Sequence, residues 1–403
     1  MATVEQQAKS ISVARLIGIA LAMRLMVDTG VQLFYPFLPV FAAGLGISAV
    51  SMGQLIGLRT FAGLIAPYFG AMADRRGYRV ILRGGLWGVT VGLLLIASHW
   101  HITAVILGMA VLGIGLSTFV PTLIAYLSTQ LPYAQRSRSL GVLEMSWALA
   151  GIVGLFLVGL SIDRWGWAMP LYVLAGLTLL VSFALGWFPE IERDPIVGLE
   201  TVEKLPLPIR LRRFFDLGEN GRSAWSAIIA SALISFAALH LFGTYGQWLF
   251  VEYELDASRL GIVALLLGVA NLIASSLISF RGDQLGKHRS IRWGTIAAIL
   301  AFFTLPFFNI GLVQVVIGLF IAQFWFEFIF VNSIILCSEQ SPTQRAKMMT
   351  LWGAMGTLGI TVANLTGPPA YEAFGATGLA VPSGVALIIV WVLFNYFVHE
   401  DHA

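Results

Sequence analysis

The sequence predicts an all-α integral membrane protein, with twelve transmembrane helices arranged as two pseudo-symmetric six-helix bundles. Three observations carry that reading. Of 403 residues, 58% are hydrophobic and only 11% charged, with a mean hydropathy of +0.85. A soluble domain carries about 25% charged residues, so the solvent for most of this surface is lipid. Apolar runs long enough for the ~20 residues of a membrane-spanning helix recur twelve times along the chain. Two separate loops also repeat their polar residues at a single offset of 209 positions.

The runs lie near 13–42, 49–72, 78–98, 102–128, 139–161, 168–188, 223–250, 258–280, 291–308, 311–337, 345–367 and 377–398, numbered here 1 to 12. Their length and unbroken apolarity predict helices, because a backbone facing lipid must satisfy its hydrogen bonds within its own segment. The longest polar stretch, PEIERDPIVGLETVEKLPLPIRLRRFFDLGENGR at 189–222, falls between helices 6 and 7. It divides the chain into an amino-terminal bundle (1–188), a linker (189–222) and a carboxy-terminal bundle (223–403). The opening MATVEQQAKSISVAR does not read as a cleaved signal peptide, since Glu5 interrupts it and the apolar run that follows is too long for an h-region. A single cysteine, Cys337, rules out an internal disulfide.

Charge then orients the spans. Of 24 lysines and arginines, Arg24 and Arg59 lie inside helices and Arg164 and Arg259 in loops on one side; the other 20 lie in the amino terminus, the linker and the 2–3, 4–5, 8–9 and 10–11 loops, all on the opposite side. The positive-inside rule makes that side cytoplasmic, with both termini inside, as an even number of spans requires.

The repeat appears in two of those loops. Asp74 and Asp283 are 209 residues apart, as are Gly77 and Gly286; in the 4–5 and 10–11 loops Arg136 and Arg345 keep the same offset. Two copies of six helices with a site between them are a transporter architecture. The 2–3 loop supplies Gly70, Asp74, Arg75, Gly77 and Arg79. These residues resemble the G-x-x-x-D-[RK]-x-G-[RK]-[RK] signature of the major facilitator superfamily, with Tyr78 departing at one basic position, and the likeness covers essentially the whole chain. In the second copy Ser279 and Gln284 replace a glycine and an arginine, while Asp283, Gly286 and Lys287 remain. The resemblance implies that the aspartate faces the amino end of helix 11 across the seam between halves. The loop cluster, with Arg136 and Arg345, would then latch the cytoplasmic side shut in the outward-facing state. A carboxylate at a helix amino end is worth ~0.3–1 kcal/mol, and up to ~2 when partly buried. The alternative is that the cluster is only a positive-inside retention signal.

The spans also hold charge, at ~2.5–3.5 kcal/mol or more for each such residue at the bilayer centre. Arg24, Asp28, Gln32 and Tyr35 share one face of helix 1; Arg59 lies midway along helix 2 and Glu144 in the inner part of helix 5. His240, Thr244 and Gln247 share a face of helix 7, and Gln323 and Glu327 a face of helix 10. The resemblance implies a central cavity lined by helices 1, 4, 7 and 10, so these residues are the candidate substrate and proton pathway. Asp28, one turn from Arg24, is the candidate proton carrier, and Glu144 the fixed partner of an arginine. Arg59 with Glu144 as a structural ion pair, and His240 as a packing residue, are the competing readings. His240 and Glu327, at similar depths, are expected to be neighbours across the cavity. Tyr35, Trp147, Trp248 and Trp325 are ring-bearing candidates for stacking on substrate, although many such rings anchor helices at the membrane interface.

Two family features are missing. Met109 stands where many proton-coupled members carry an arginine before G-x-G in helix 4, and helix 5 lacks a glycine–proline pair; a GPP occurs instead at 367–369. No nucleotide-binding G-x-x-x-x-G-K-[ST], H-E-x-x-H or G-x-S-x-G is present, so an enzyme is not expected, and no cofactor or metal is implied. No basic patch interleaved with aromatics points to nucleic acid. The expectation is a monomeric secondary transporter of a bacterial inner membrane or plasma membrane, exporting a small amphipathic or drug-like molecule in exchange for protons. The alternative is a carrier of a small organic anion anchored by Arg24 and Arg59. A third reading, of a different class, is a receptor or assembly factor on a transporter scaffold, against which the short linker and tails speak.

Overall fold

A computed structural model of the chain describes residues 12–398 except 66–67, 69–71, 74–75, 132, 190–208, 210–214, 219 and 341–343. Its helices follow the predicted runs. They are α1 (Val13–Gln32, resuming as Leu38–Leu45), α2 (Ala49–Ala62), α3 (Tyr78–Ser98), α4 (Ile102–Gln130), α5 (Tyr133–Leu149 and Leu155–Trp165), α6 (Met169–Ala184), α7 (Gly221–Phe242, resuming as Tyr245–Tyr253), α8 (Ala257–Leu285), α9 (Lys287–Thr304) and α10 (Leu312–Glu339). One continuous run, Arg345–Tyr396, supplies the last two, because Gly375 (φ 60°, ψ −148°) breaks it into α11 (345–374) and α12 (376–396). Nine described helices are long and apolar enough to cross a membrane, or ten with the bent pair Leu38–Leu45 and Ala49–Ile65 taken as one span. That tally takes Arg345–Tyr396 as one, and α1 falls outside it with Arg15, Arg24 and Asp28 in twenty residues. The helix ends at 65 and 78, 130 and 133, 187 and 221, 285 and 287, and 339 and 345 lie on one side, called here the basic face; the other ends lie on the far face.

Three spans are less regular than their hydropathy predicts. α1 breaks at Leu33–Phe37 because Pro36 has no N–H to continue the ladder. α7 breaks at Gly243–Thr244. Tyr35 and Thr244 are 209 residues apart, so the two halves bend at equivalent places. α5 widens into a π-turn at Ala150–Gly154, where Gly154 lies against Thr29 of α1, whose hydroxyl a methyl there would approach to 2.3 Å. The repeat also shows on the basic face: Gly77 (φ 98°) and Gly286 (φ 73°) precede α3 and α9 in matching left-handed conformations, which glycine adopts without the clash a Cβ brings.

The halves meet closely near the far face. α2 packs on α11, α5 on α8, and the second segments of α1 and α7 on each other. A Cβ on Gly53 would lie 2.6 Å from Pro368, one on Gly159 2.5 Å from the carbonyl oxygen of Ala257, and one on Gly246 2.1 Å from that of Pro36. The GPP at 367–369 is therefore part of the α2–α11 seam. Such approaches leave no room for water, and the far face is shut.

Within the amino-terminal bundle, α2 and α4 touch as tightly: a methyl on Gly113 would lie 1.9 Å from the carbonyl oxygen of Arg59. Gly113→Ala is expected to lose about 1–3 kcal/mol through overpacking, read as a lower unfolding midpoint in detergent. Gly176→Ala on α6, where nothing stands within 4 Å, is the control. Equal midpoints for the two variants would refute this packing.

Candidate functional site

Below the far seal, between the bundles, lies a cavity of about 290 Å³. The amino-terminal half lines it with Gln32 and Tyr35 of α1 and Trp147 of α5; the other half contributes Asn271 of α8 and Gln323 and Glu327 of α10. Most of the remaining wall is apolar. Rings run along it towards the basic face, Phe242 to Phe326 at 6.2 Å, Phe326 to Phe330 at 5.6 Å and Phe330 to Trp352 at 5.5 Å between centroids. Among the described lining residues Glu327 is the only acid, and none is a lysine or arginine.

The polar wall of the second half is a short ladder. Gln323 Nε2 donates to Asn271 Oδ1 at 2.6 Å, and Ser275 Oγ donates to Glu327 Oε1 at 2.9 Å. Each helix contributes residues four apart, which places both rungs on one stripe. Glu327 keeps its second oxygen free of any hydrogen bond among the described residues. Asn271 and Ser275 were missed from sequence because no titratable residue shares their face within the span of α8. Their i, i+4 spacing, matching that of Gln323 and Glu327, was the available signal.

The amino-terminal half holds the charge network. Arg24 binds Glu144 through both terminal nitrogens, at 2.6 and 2.7 Å, and its Nε lies 3.4 Å from Asp28. Ser146 Oγ donates to Asp28 at 2.5 Å. The side chains of Arg24 and Asp28 are 7% and 3% exposed, whereas that of Glu144 is 58% exposed. The network thus runs from a dry end at Asp28 to a wet end at Glu144, on the side where the cavity opens to the basic face. The arginine partner of Glu144 is Arg24, not Arg59. Arg59 donates instead to the Val31 carbonyl oxygen at 3.0 Å and to Tyr35 Oη at 3.1 Å, with its guanidinium over the rings of Phe34 and Tyr35. It therefore caps the carboxyl end of the broken α1, where a freed carbonyl in lipid needs a partner.

Other expected residues stand elsewhere. His240 is not a cavity residue: its Nδ1 lies 3.3 Å from the Leu379 carbonyl oxygen on α12, its ring packs on Phe236, and it is fully buried. The structure does not bring it together with Glu327. Gln247 is buried beyond the break in α7, its Oε1 without a hydrogen-bond partner among the described residues. Among the candidate rings, Tyr35 and Trp147 line the cavity, Trp248 is fully buried, and Trp325 lines a separate groove between α9 and α10.

Two six-helix halves closing over a central cavity agree with a comparison to known proteins, in which the profile of the Major Facilitator Superfamily matches residues 20–364. The chain belongs to that superfamily. Among curated superfamily relatives, the multidrug resistance protein MdtG of Yersinia enterocolitica is 26% identical over 73% of this chain and 70% of its own length. MdtG of Citrobacter koseri is 25% identical over 71% and 72%. Among solved structures, a D-xylose–proton symporter superposes with a TM-score of 0.79 at 14% identity, covering 96% of this chain and 98% of its own. The human organic anion transporter MFSD10 superposes with a TM-score of 0.69 at 19% identity, covering 96% and 100%. These likenesses establish the fold. The chain is a multi-pass membrane transporter.

The superfamily signature in the 2–3 loop is only partly described. Gly70, Asp74 and Arg75 lie outside the described residues, as do the side chains of Arg136, Asp283 and Arg345. Gly77 and Gly286 form the two matching turns. Arg79 donates to the carbonyl oxygens of Leu185 and Gly186, at 3.1 and 2.5 Å, at the end of α6. Through these bonds Arg79 ties α3 to the end of α6 within its own bundle.

Proposed function

We propose that this transporter is a proton-linked exporter of amphipathic, drug-like molecules, with lipophilic cations as its preferred class. The observation that carries the reading is the cavity wall: aromatic along its length, with a single carboxylate, Glu327, and no basic side chain among its described residues. Rings attract a cation through their π-faces, and a carboxylate with an oxygen to spare anchors it. The name of the MdtG relatives, multidrug resistance protein, points the same way. An organic-anion carrier is less well supported, because Arg24 and Arg59 are both engaged behind the cavity wall.

The transporter would sit in a bacterial inner membrane with its basic face and both termini in the cytoplasm. The shape described is then the inward-open state, ready to load. It works as a monomer, since one chain encloses the whole cavity. Asp28 would carry the proton, and the loop cluster Gly70, Asp74, Arg75, Gly77, Arg79, Asp283 and Gly286, with Arg136 and Arg345, would latch the cytoplasmic side in the opposite state.

Proteoliposomes with an imposed pH gradient test this. Gradient-driven transport of ethidium, a lipophilic cation, is expected, and Glu327→Gln should reduce it at least tenfold, the size of one charge-assisted contact. A neutral amphipathic probe, chloramphenicol, should be much less affected. Transport of carboxyfluorescein in place of ethidium would make the organic-anion reading the correct one.

A further inference from the structure

On the far face, one contact crosses between the bundles by a different means from the close glycine packing. Asp163 lies in the last turn of α5. Its Oδ2 accepts the backbone N–H of Ser258 at 2.7 Å, and its Oδ1 that of Ala257 at 3.2 Å. Those two N–H groups are the first of α8, in the other half of the molecule. They are donors that a helix leaves without an internal partner, at the end where its dipole is positive. The helix already has a cap of its own: Asp256 Oδ1 accepts the N–H of Arg259 at 2.8 Å. Two aspartates therefore serve one helix end, one from within the half and one from across the seam.

We propose that Asp163 is the positioning residue that sets the balance between the two transport states, by holding the amino end of α8 shut against α5 on the far face. The site suits such a role. Just below it, Gly159 meets Ala257 and Gly261, and deeper still Gly151 meets Gly268. All of these lie along the α5–α8 seam, which must part for the far face to open. Close packing of this kind has no long-range component: it is made only when the helices touch. A carboxylate facing a helix amino end attracts over a longer distance and steers the closing bundles into register. When the far face opens, Asp163 is exchanged to water, which its exposed position at the helix end allows, so the contact is reversible. Asp256 moves with α8 and stays bonded in both states, so it contributes to helix stability and not to the balance. The proposal goes beyond the reading of substrate and proton, and holds for any cargo.

The test compares the two aspartates in the absence of substrate. Spin labels are placed on the far face in opposite halves, at Trp100 and Ile310, which are 89% and 80% exposed, in a Cys337→Ser background. Distance distributions are then measured by double electron–electron resonance in liposomes. Asp163→Asn keeps the shape and removes the charge. It is expected to raise the ratio of long to short distances about three- to tenfold, the size of a charge–helix-end contact at a partly hydrated site, with the unfolding midpoint unchanged. Asp163→Glu, which returns the carboxylate, should lie nearer the unsubstituted protein than Asp163→Asn does. Asp256→Ala, which removes the cap, should lower the midpoint and leave the distances unchanged. Distances unaltered by Asp163→Asn, or shifted equally by Asp256→Ala, would overturn the assignment. Because no substrate or pH gradient is used, failure here is distinct from failure of the exporter reading.

Discussion

Arg24→Met is expected to be the most destabilising single change in the amino-terminal half, at about 3–5 kcal/mol, the loss measured when one partner of a buried ion pair is removed. The reason lies in what remains. Glu144, 58% exposed, can be hydrated when its arginine is gone, but Asp28, 3% exposed, cannot. A lone buried carboxylate without its cation is among the least favourable groups in a protein interior. The loss should therefore belong to Asp28. Adding Asp28→Asn to Arg24→Met should restore most of the stability, and adding Glu144→Gln little of it. Unfolding midpoints of the four proteins decide the matter. Restoration by Glu144→Gln and not by Asp28→Asn would show that the wet end of the network, not the dry one, depends on the arginine.

Asp28→Asn alone is expected to abolish transport driven by a pH gradient while exchange of substrate at equal pH persists. Asp28 lies one helical turn from Gln32, which lines the cavity, and is held between Arg24 at 3.4 Å and Ser146 at 2.5 Å. Ser146 and Glu144 both belong to α5, so any shift of α5 against α1 changes the partners of Asp28 and of Arg24 together. Nearby charge and burial act in opposite senses on the proton of a carboxyl, and a carrier needs that balance to change between states. Asparagine imitates the protonated, uncharged form permanently. It lets the bundles rock but gives the proton nowhere to ride. Glu144→Gln should instead impair both driven transport and exchange, because it removes the bidentate anchor of Arg24. Driven transport that survives in Asp28→Asn vesicles would end the assignment of Asp28 and favour the organic-anion carrier.

Much of this molecule could be read before its shape was known, for definable reasons. Span positions follow from hydropathy, because lipid permits few other backbones. The equivalence of Gly77 and Gly286 follows from sequence spacing, and the structure gives both the left-handed turn that explains them. Gln32, Tyr35, Gln323 and Glu327 were legible as cavity residues because polar groups in a span must face water or each other. Pairings were harder to read. Arg24 and Arg59 look alike in the sequence, yet which one meets Glu144, 120 positions from Arg24, depends on the rotation of three helices. Arg59 is claimed by the break in α1, since Pro36 leaves the preceding carbonyls in need of a donor. His240 misled because a polar ring can be satisfied by one carbonyl oxygen of a neighbouring helix, here that of Leu379. Asn271, Ser275 and Ser146 share no face of their own spans with a titratable residue and so carry no local signal, although each hydrogen-bonds a residue that does.

The meeting of the broken helices also sets the two halves apart. Pro36 and Gly246 touch where the second segments of α1 and α7 pack on each other. The position equivalent to Gly246 in the first half is Phe37, 209 residues earlier. Even a single methyl at Gly246 would lie 2.1 Å from the Pro36 carbonyl oxygen. One half has become the ridge and the other the groove, so a tandem of two amino-terminal halves, for all its internal symmetry, would not close.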